Sequence, residues 1–141
     1  MKLEVGMYVR GKYYQYRGKI GKIIKNYNND LEIAYKDGVL KTNVGSFIDD
    51  NYDINGKQYK ASYNIIDILE EGDYVNGVEI IKIYEKGDSF TRNHDYIFTE
   101  KTIEVCNDNY ELIPFEALFT NNEIETIVTH EQMEQMEYKV E

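Results

Sequence analysis

The nine residues "LEVGMYVRG" (Leu3 to Gly11) return as "LEEGDYVNG" (Leu69 to Gly77), identical at six of nine positions and offset by 66. A second pair follows in the same order. "GKIIKNY" (Gly21 to Tyr27) and "VEIIKIY" (Val78 to Tyr84) are identical at four of seven positions and offset by 57. Two matches in one order argue for a duplicated unit, and such a repeat confines the chain to two similar small folds in tandem. The offsets differ by nine, so the first copy carries nine residues that its sister lacks, Lys12 to Ile20, "KYYQYRGKI".

The unit reads as strands. "MYVRG" and "GKIGKIIKNY" alternate or run apolar, as half-buried strands do. Asp37-Gly38 separates "LEIAYK" from "VLKTNV" and predicts a two-residue hairpin turn. Asn76-Gly77 joins "DYV" to "VEIIKIY" in the same way, and Asn55-Gly56 reads as a third such turn leading into "KQYKAS". Short strands spaced by such turns suit small barrels, whose closure removes exposed edges. One short helix is expected in "IVTHEQMEQMEYKV", where Thr129 and Gln132 have the spacing of a capping box. A second helical turn is expected in "PFEALF", with Pro114 at its first position. The predicted fold is mostly β: two tandem SH3-like small barrels, 1–68 and 69–141, the second ending in the short helix and a final strand, "YKV". No Pro/Gly/Ser-rich linker separates them.

Charge is laid out unevenly along this path. Residues 1–44 hold nine Lys/Arg and four Asp/Glu, a net of +5; residues 45–141 hold seven and 22, a net of −15. The whole chain stands at −10. An asymmetry of this size bears on choice of partner more than on fold. Cys106 is the only cysteine, which excludes an intramolecular disulfide and reads as a small buried hydrophobe. No apolar run is long enough for a bilayer, and no charged-then-apolar leader opens the sequence, so a cytoplasmic protein is expected. The 17 Ile, 13 Asn, 13 Lys and 14 Tyr against one Pro and no Trp fit AT-rich codons, as in a low-GC bacterial or phage genome.

Two resemblances attach to particular residues. Val5-Gly6, Tyr8-Val9-Arg10 and the run Arg17-Gly18-Lys19-Ile20-Gly21-Lys22-Ile23 resemble an SH3-like barrel that opens in the KOW manner. Such modules set a glycine-spaced basic hairpin at the barrel edge, often against RNA or a partner protein. "MKLEVGMYVR", "KASYNIIDILEEGDYVNG" and "IETIVTHEQMEQMEYKVE" resemble a family of small phage and prophage proteins of low-GC Gram-positive bacteria. That resemblance implies a phage accessory gene, a setting that includes inhibitors of host defence such as anti-CRISPR proteins. It implies no catalytic residues.

Known chemical motifs fit poorly. "GKIGK" lacks the glycine spacing and the Ser/Thr of a phosphate loop. His94 and His130, the only histidines, have no second ligand at metal spacing in the sequence, and His130 is expected exposed in the first helical turn. "DDNYDINGK" matches a calcium loop at Asp53, Asn55 and Gly56 but has Asn51 at its first position and Ser62 where a glutamate belongs. No enzyme, cofactor or metal is expected.

Two candidate binding regions are left. One is the basic, tyrosine-rich start: Arg10, Lys12, Tyr13, Tyr14, Tyr16, Arg17 and Lys19. Its tyrosines suit base stacking with cations on phosphates, a protein interface, or packing on the barrel itself. The other is the acidic junction Glu70, Glu71 and Asp73, read as a solvated turn or as part of a surface that imitates a phosphate backbone. The function expected is a phage-encoded, non-enzymatic protein that binds and modulates a host protein, with a defence nuclease as the favoured target class. The alternative is a nucleic-acid-binding module using the first barrel's basic loop. Self-association, with the basic unit of one copy against the acidic unit of another, is a third option. No membrane partner is expected.

Overall fold

In the computed structural model, residues 3–12, 16–50, 59–89, 97–106, 109–118 and 124–137 are described. The fold is mostly β. It divides into a first unit, Met1–Leu69 with Glu134–Glu141, and a second, Glu70–Met133.

The first unit is a five-stranded antiparallel sheet of β1 (Tyr8–Arg10), β2 (Ile20–Tyr27), β3 (Asp30–Tyr35), β4 (Gly38–Asn43) and β5 (Lys60–Ser62), in the order β4-β3-β2-β1-β5. Helix α1 (Val44–Asp50) lies between β4 and β5, and a 3-10 turn (Ile65–Ile68) follows β5. The second unit has β6 (Tyr74–Val75), β7 (Val78–Tyr84), β8 (Thr102–Cys106), β9 (Leu112–Pro114) and β10 (Ile127–Val128), in the order β10-β6-β7-β8-β9. Helix α2 (Phe115–Leu118) follows β9, and helix α3 (His130–Glu137), of which the residues up to Met133 belong to this unit, follows β10. The two sheets thus have one strand order. Among the described residues the outer strands of a sheet are not paired with each other, so the closed barrels expected from sequence are not seen.

The repeat is reproduced bond by bond. Gly6 N–H donates to Ile23 O (2.8 Å), Met7 N–H to Glu4 O (3.1 Å) and Ile23 N–H to Met7 O (2.9 Å). In the second unit Gly72 N–H donates to Ile80 O (2.8 Å), Asp73 N–H to Glu70 O (3.1 Å) and Ile80 N–H to Asp73 O (2.8 Å). Gly6 and Gly72 both take the left-handed backbone, φ +95° and +89°, which costs a residue with a Cβ about 1–2 kcal/mol. The shared "IIK" is explained by a bulge. Register slips between Ile23 and Lys25 in β2 and between Ile80 and Lys82 in β7. The first isoleucine of each pair enters the core, while the second, Ile24 or Ile81, is left outside.

Turn chemistry accounts for the hairpins. Asn76 and Gly77, φ +50° and +81°, form the expected two-residue turn between Val75 and Val78. The β3–β4 turn falls one residue earlier than expected: Tyr35 pairs with Gly38, so Lys36-Asp37 is the loop and Gly38 opens β4. A turn that sequence reading passed over, Asn28-Asn29 at φ +50° and +70°, joins β2 to β3. Helix α1 was also unforeseen; Asn43 caps it by accepting the Ser46 N–H (2.8 Å). The capping box of α3 is present in both directions, Thr129 N–H to Gln132 Oε1 (3.0 Å) and Gln132 N–H to Thr129 Oγ1 (3.3 Å). The helical turn expected near Pro114 is α2, with Pro114 ending β9 just before it. Asn55-Gly56 and the final strand "YKV" lie outside the described residues.

Leu3, Met7, Val9, Tyr16, Ile23, Leu31, Ile33 and Phe47 form the core of the first unit. Val75, Ile80, Ile103, Val105 and Phe115 are buried in the second. Cys106 sits in β8 only half-buried. Because the left-handed turn is the shared device, Gly6→Ala and Gly72→Ala should each lower stability by about 1–2 kcal/mol in urea unfolding.

Candidate functional site

The duplicated turn carries different chemistry in its two copies. In the first, Glu4 N–H donates to the sulfur of Met7 (3.3 Å). In the second the matching residue is Asp73, whose Oδ2 accepts the Glu70 N–H (2.7 Å). A carboxylate has a second oxygen, and Asp73 Oδ1 accepts the His130 N–H at the start of α3 (2.9 Å). Asp73 is fully buried, at 0% exposure, so this single carboxylate ties the turn to the helix from inside.

Two side chains meet a third above it. His130 Nε2 lies 2.7 Å from Glu70 Oε1 and 3.2 Å from Glu131 Oε1. The Glu131 side chain is 3% exposed, that of Glu70 17% and that of His130 32%. Their donor atoms all lie within 4.8 Å of one another, a spacing that a single metal ion can bridge. His130 was expected exposed and alone. The fold instead supplies Glu70 from 60 residues away, a pairing that local spacing cannot disclose.

The ten residues singled out from sequence are scattered. Arg10 ends β1 at 0% exposure and donates through Nη1 to Ile68 O (3.1 Å), so it holds the 3-10 turn and is not part of a surface patch. Tyr16 is buried at 4% exposure, edge-on to Phe47 with centroids 5.3 Å apart. Asp73 is buried as described, and Glu70 is mostly covered beside His130. The acidic turn thus leaves Glu71 exposed, its carboxylate accepting the Ile83 N–H (3.0 Å) with Lys82 Nζ 3.7 Å away. Lys12 is half-buried, and Arg17 and Lys19 are exposed. Arg17 Nη2 is 2.8 Å from Glu134 Oε2, an exposed pair worth at most about 1 kcal/mol. Tyr13, Tyr14, His94 and the Asn51–Gly56 turn lie outside the described residues.

The base of the inserted loop is tightly built. Gly11 N–H donates to Lys19 O (3.1 Å) and Gly18 N–H to Gly11 O (2.9 Å), while a Cβ on Gly11 would fall 2.3 Å from the backbone oxygen of Tyr16. Tyr16 and Lys19 then wall a shallow groove of about 290 Å³ together with Tyr35 and Asp37 to Leu40. Val39 is 52% exposed there. The Tyr35 hydroxyl is buried with no hydrogen-bond partner among the described residues. Burial, and then the neighbouring Tyr16 and Asp37, push its phenol well above the ordinary value of 10.0.

No family model, curated protein or solved structure matches this chain. Among the described residues no helix is long and apolar enough to cross a membrane.

Asp73→Asn, which keeps the shape but sets an NH2 against one of the two amides, should cost about 2–3 kcal/mol in denaturant unfolding. Tyr35 makes alkaline stability a second test. Its proton is held in the folded chain but lost from the unfolded one as pH passes 10.0, so stability is intact below that pH and falls above it. Tyr35→Phe should flatten this fall between about pH 10 and 12 in urea midpoints. At neutral pH it should cost little, since it removes an unsatisfied hydroxyl.

Proposed function

We propose that this chain is a phage-encoded, non-enzymatic binding protein that engages a host protein and changes its activity. The target class is a nucleic-acid-handling protein such as a defence nuclease, in the manner of an anti-CRISPR inhibitor. The observation that carries the reading is the charge of the second unit: 15 Asp/Glu against four Lys/Arg over 70–133, a net of −11. Glu85, Asp88, Glu100, Glu111, Glu116 and Glu125 are exposed acids of that unit. A nuclease must hold a polyanion in a cationic channel, and a surface of this sign is drawn to such a channel and steered onto it. The resemblance to small phage and prophage proteins supports the phage setting. With Asp73 buried and Glu70 mostly covered, the reading rests on these exposed acids and on the exposed Glu71 of the junction.

Pull-down from a low-GC Gram-positive lysate, followed by an activity assay on the captured protein, tests the reading. Retention of a basic, nucleic-acid-handling protein should weaken at least tenfold between about 50 and 300 mM salt. It should weaken as much again when Glu100, Glu111 and Glu116 are changed together to Lys. Retention that ignores both changes removes the charge argument. Salt-sensitive binding of RNA or single-stranded DNA, lost with Arg17→Ala and Lys19→Ala and without any protein partner, would replace this reading with a nucleic-acid module.

A further inference from the structure

We propose that Glu70, His130 and Glu131 form a binding site for one divalent transition-metal ion of the zinc type. This goes beyond the binding role above and does not depend on it.

Geometry comes first. His130 Nε2 is approached by two carboxylate oxygens, at 2.7 and 3.2 Å. Whether the ring is neutral or charged, Nε2 carries at most one hydrogen, and it cannot serve two acceptors at full strength. An ion with N and O ligands at about 2.0–2.2 Å holds neighbouring donors roughly 3.0–3.5 Å apart. The two spacings from Nε2 come within a few tenths of an ångström of that range, and the three donor atoms all lie within 4.8 Å of one another. A cation that takes the Nε2 lone pair neutralises both carboxylates together, which one proton cannot do.

Burial and the sister unit supply a second, independent argument. The Glu131 side chain is 3% exposed, and a buried carboxylate is stabilised by positive charge beside it. The fold itself does not require one there. β5 pairs Tyr8 with Ser62 and β10 pairs Tyr74 with Val128, so residues after these strands correspond at an offset of 66. By that register the first unit has Asn64 where the second has His130, and Ile65 where it has Glu131. The equivalent of Glu70 is Glu4. Two liganding side chains have therefore arisen in one copy only, around a glutamate common to both.

The supports suit a metal centre. Asp73 accepts the backbone amides of both Glu70 and His130, so one buried carboxylate sets the positions from which two ligands project. Such outer partners are part of what holds a metal site in shape. Gly72 has no side chain, and a Cβ there would come within 3.2 Å of His130 Cβ, so the turn and the helix approach as closely as the site demands. One imidazole and two carboxylates suit zinc, and three protein ligands leave a position for water or for a group from a partner.

The test uses the full chain stripped with chelator and titrated with zinc chloride, with bound metal measured after equilibrium dialysis. The wild type should take up one equivalent, and zinc should raise its unfolding temperature. Glu131→Gln and His130→Gln should each weaken binding at least tenfold. His94→Gln and Cys106→Ser, which remove the only other imidazole and the only thiol, should leave it unchanged. On the unmutated chain, nitrogen-15 spectra should show the His130 Nε2 resonance move with zinc while that of His94 stays. The proposal is overturned by a wild type that takes up no zinc in dialysis, by uptake that survives both Gln variants, or by a His130 resonance that zinc leaves in place.

Discussion

The amide of Gly6 reaches the carbonyl of Ile23, and the amide of Ile23 returns to the carbonyl of Met7. These bonds stitch the turn before β1 to the middle of β2, and Gly72, Ile80 and Asp73 repeat the stitch between β6 and β7. They require a left-handed residue at the turn and a bulge one position after the core isoleucine. Once both are in place, the alternation of the flanking strands is set. Val9 and Ile23 turn inward in one sheet, Val75 and Ile80 in the other, and the remaining strands add in the same order. A one-residue slip would turn each strand's core side chains outward, so this backbone constraint underlies both units.

Upon that common frame the two units diverge at few positions, with large chemical effect. Met7 satisfies one amide of its turn through sulfur. Asp73 satisfies the same amide and reaches a second, on His130. That extra bond fixes the start of α3, and the capping box of Thr129 and Gln132 completes it. Glu131 is then carried into a buried position beside the imidazole. Exchange of a thioether for a carboxylate at one point in a turn thus goes with a polar cluster that has no counterpart among the described residues of the first unit.

The insert of the first unit works in the opposite sense. Part of what looked like surface is interior: Tyr16 leans on Phe47, and Arg10 fastens the 3-10 turn through Ile68. Gly11 and Gly18 close the neck of the loop with backbone bonds. The basic character that remains outside is that of Arg17 and Lys19. A run of tyrosines and cations is therefore divided by the core, because aromatic rings are the cheapest way to bury area and cationic tips stay in water.

Much of the architecture was legible in the residues. The repeat, the Asn76-Gly77 turn, the strand segments and the Thr129/Gln132 capping box are local patterns, and local patterns depend on short-range sterics and hydrogen bonds that sequence spacing records. The Asn28-Asn29 turn and the Asn43 cap were equally local and were passed over, since asparagine signals these conformations more weakly than glycine. Tertiary structure alone decided the rest. Among the described residues it left the sheets open, buried Arg10, Tyr16 and Asp73, and set Glu70 against His130 across 60 residues. Burial and long-range meeting depend on which faces the whole chain brings together, and residue type records only what a side chain is able to do once it arrives.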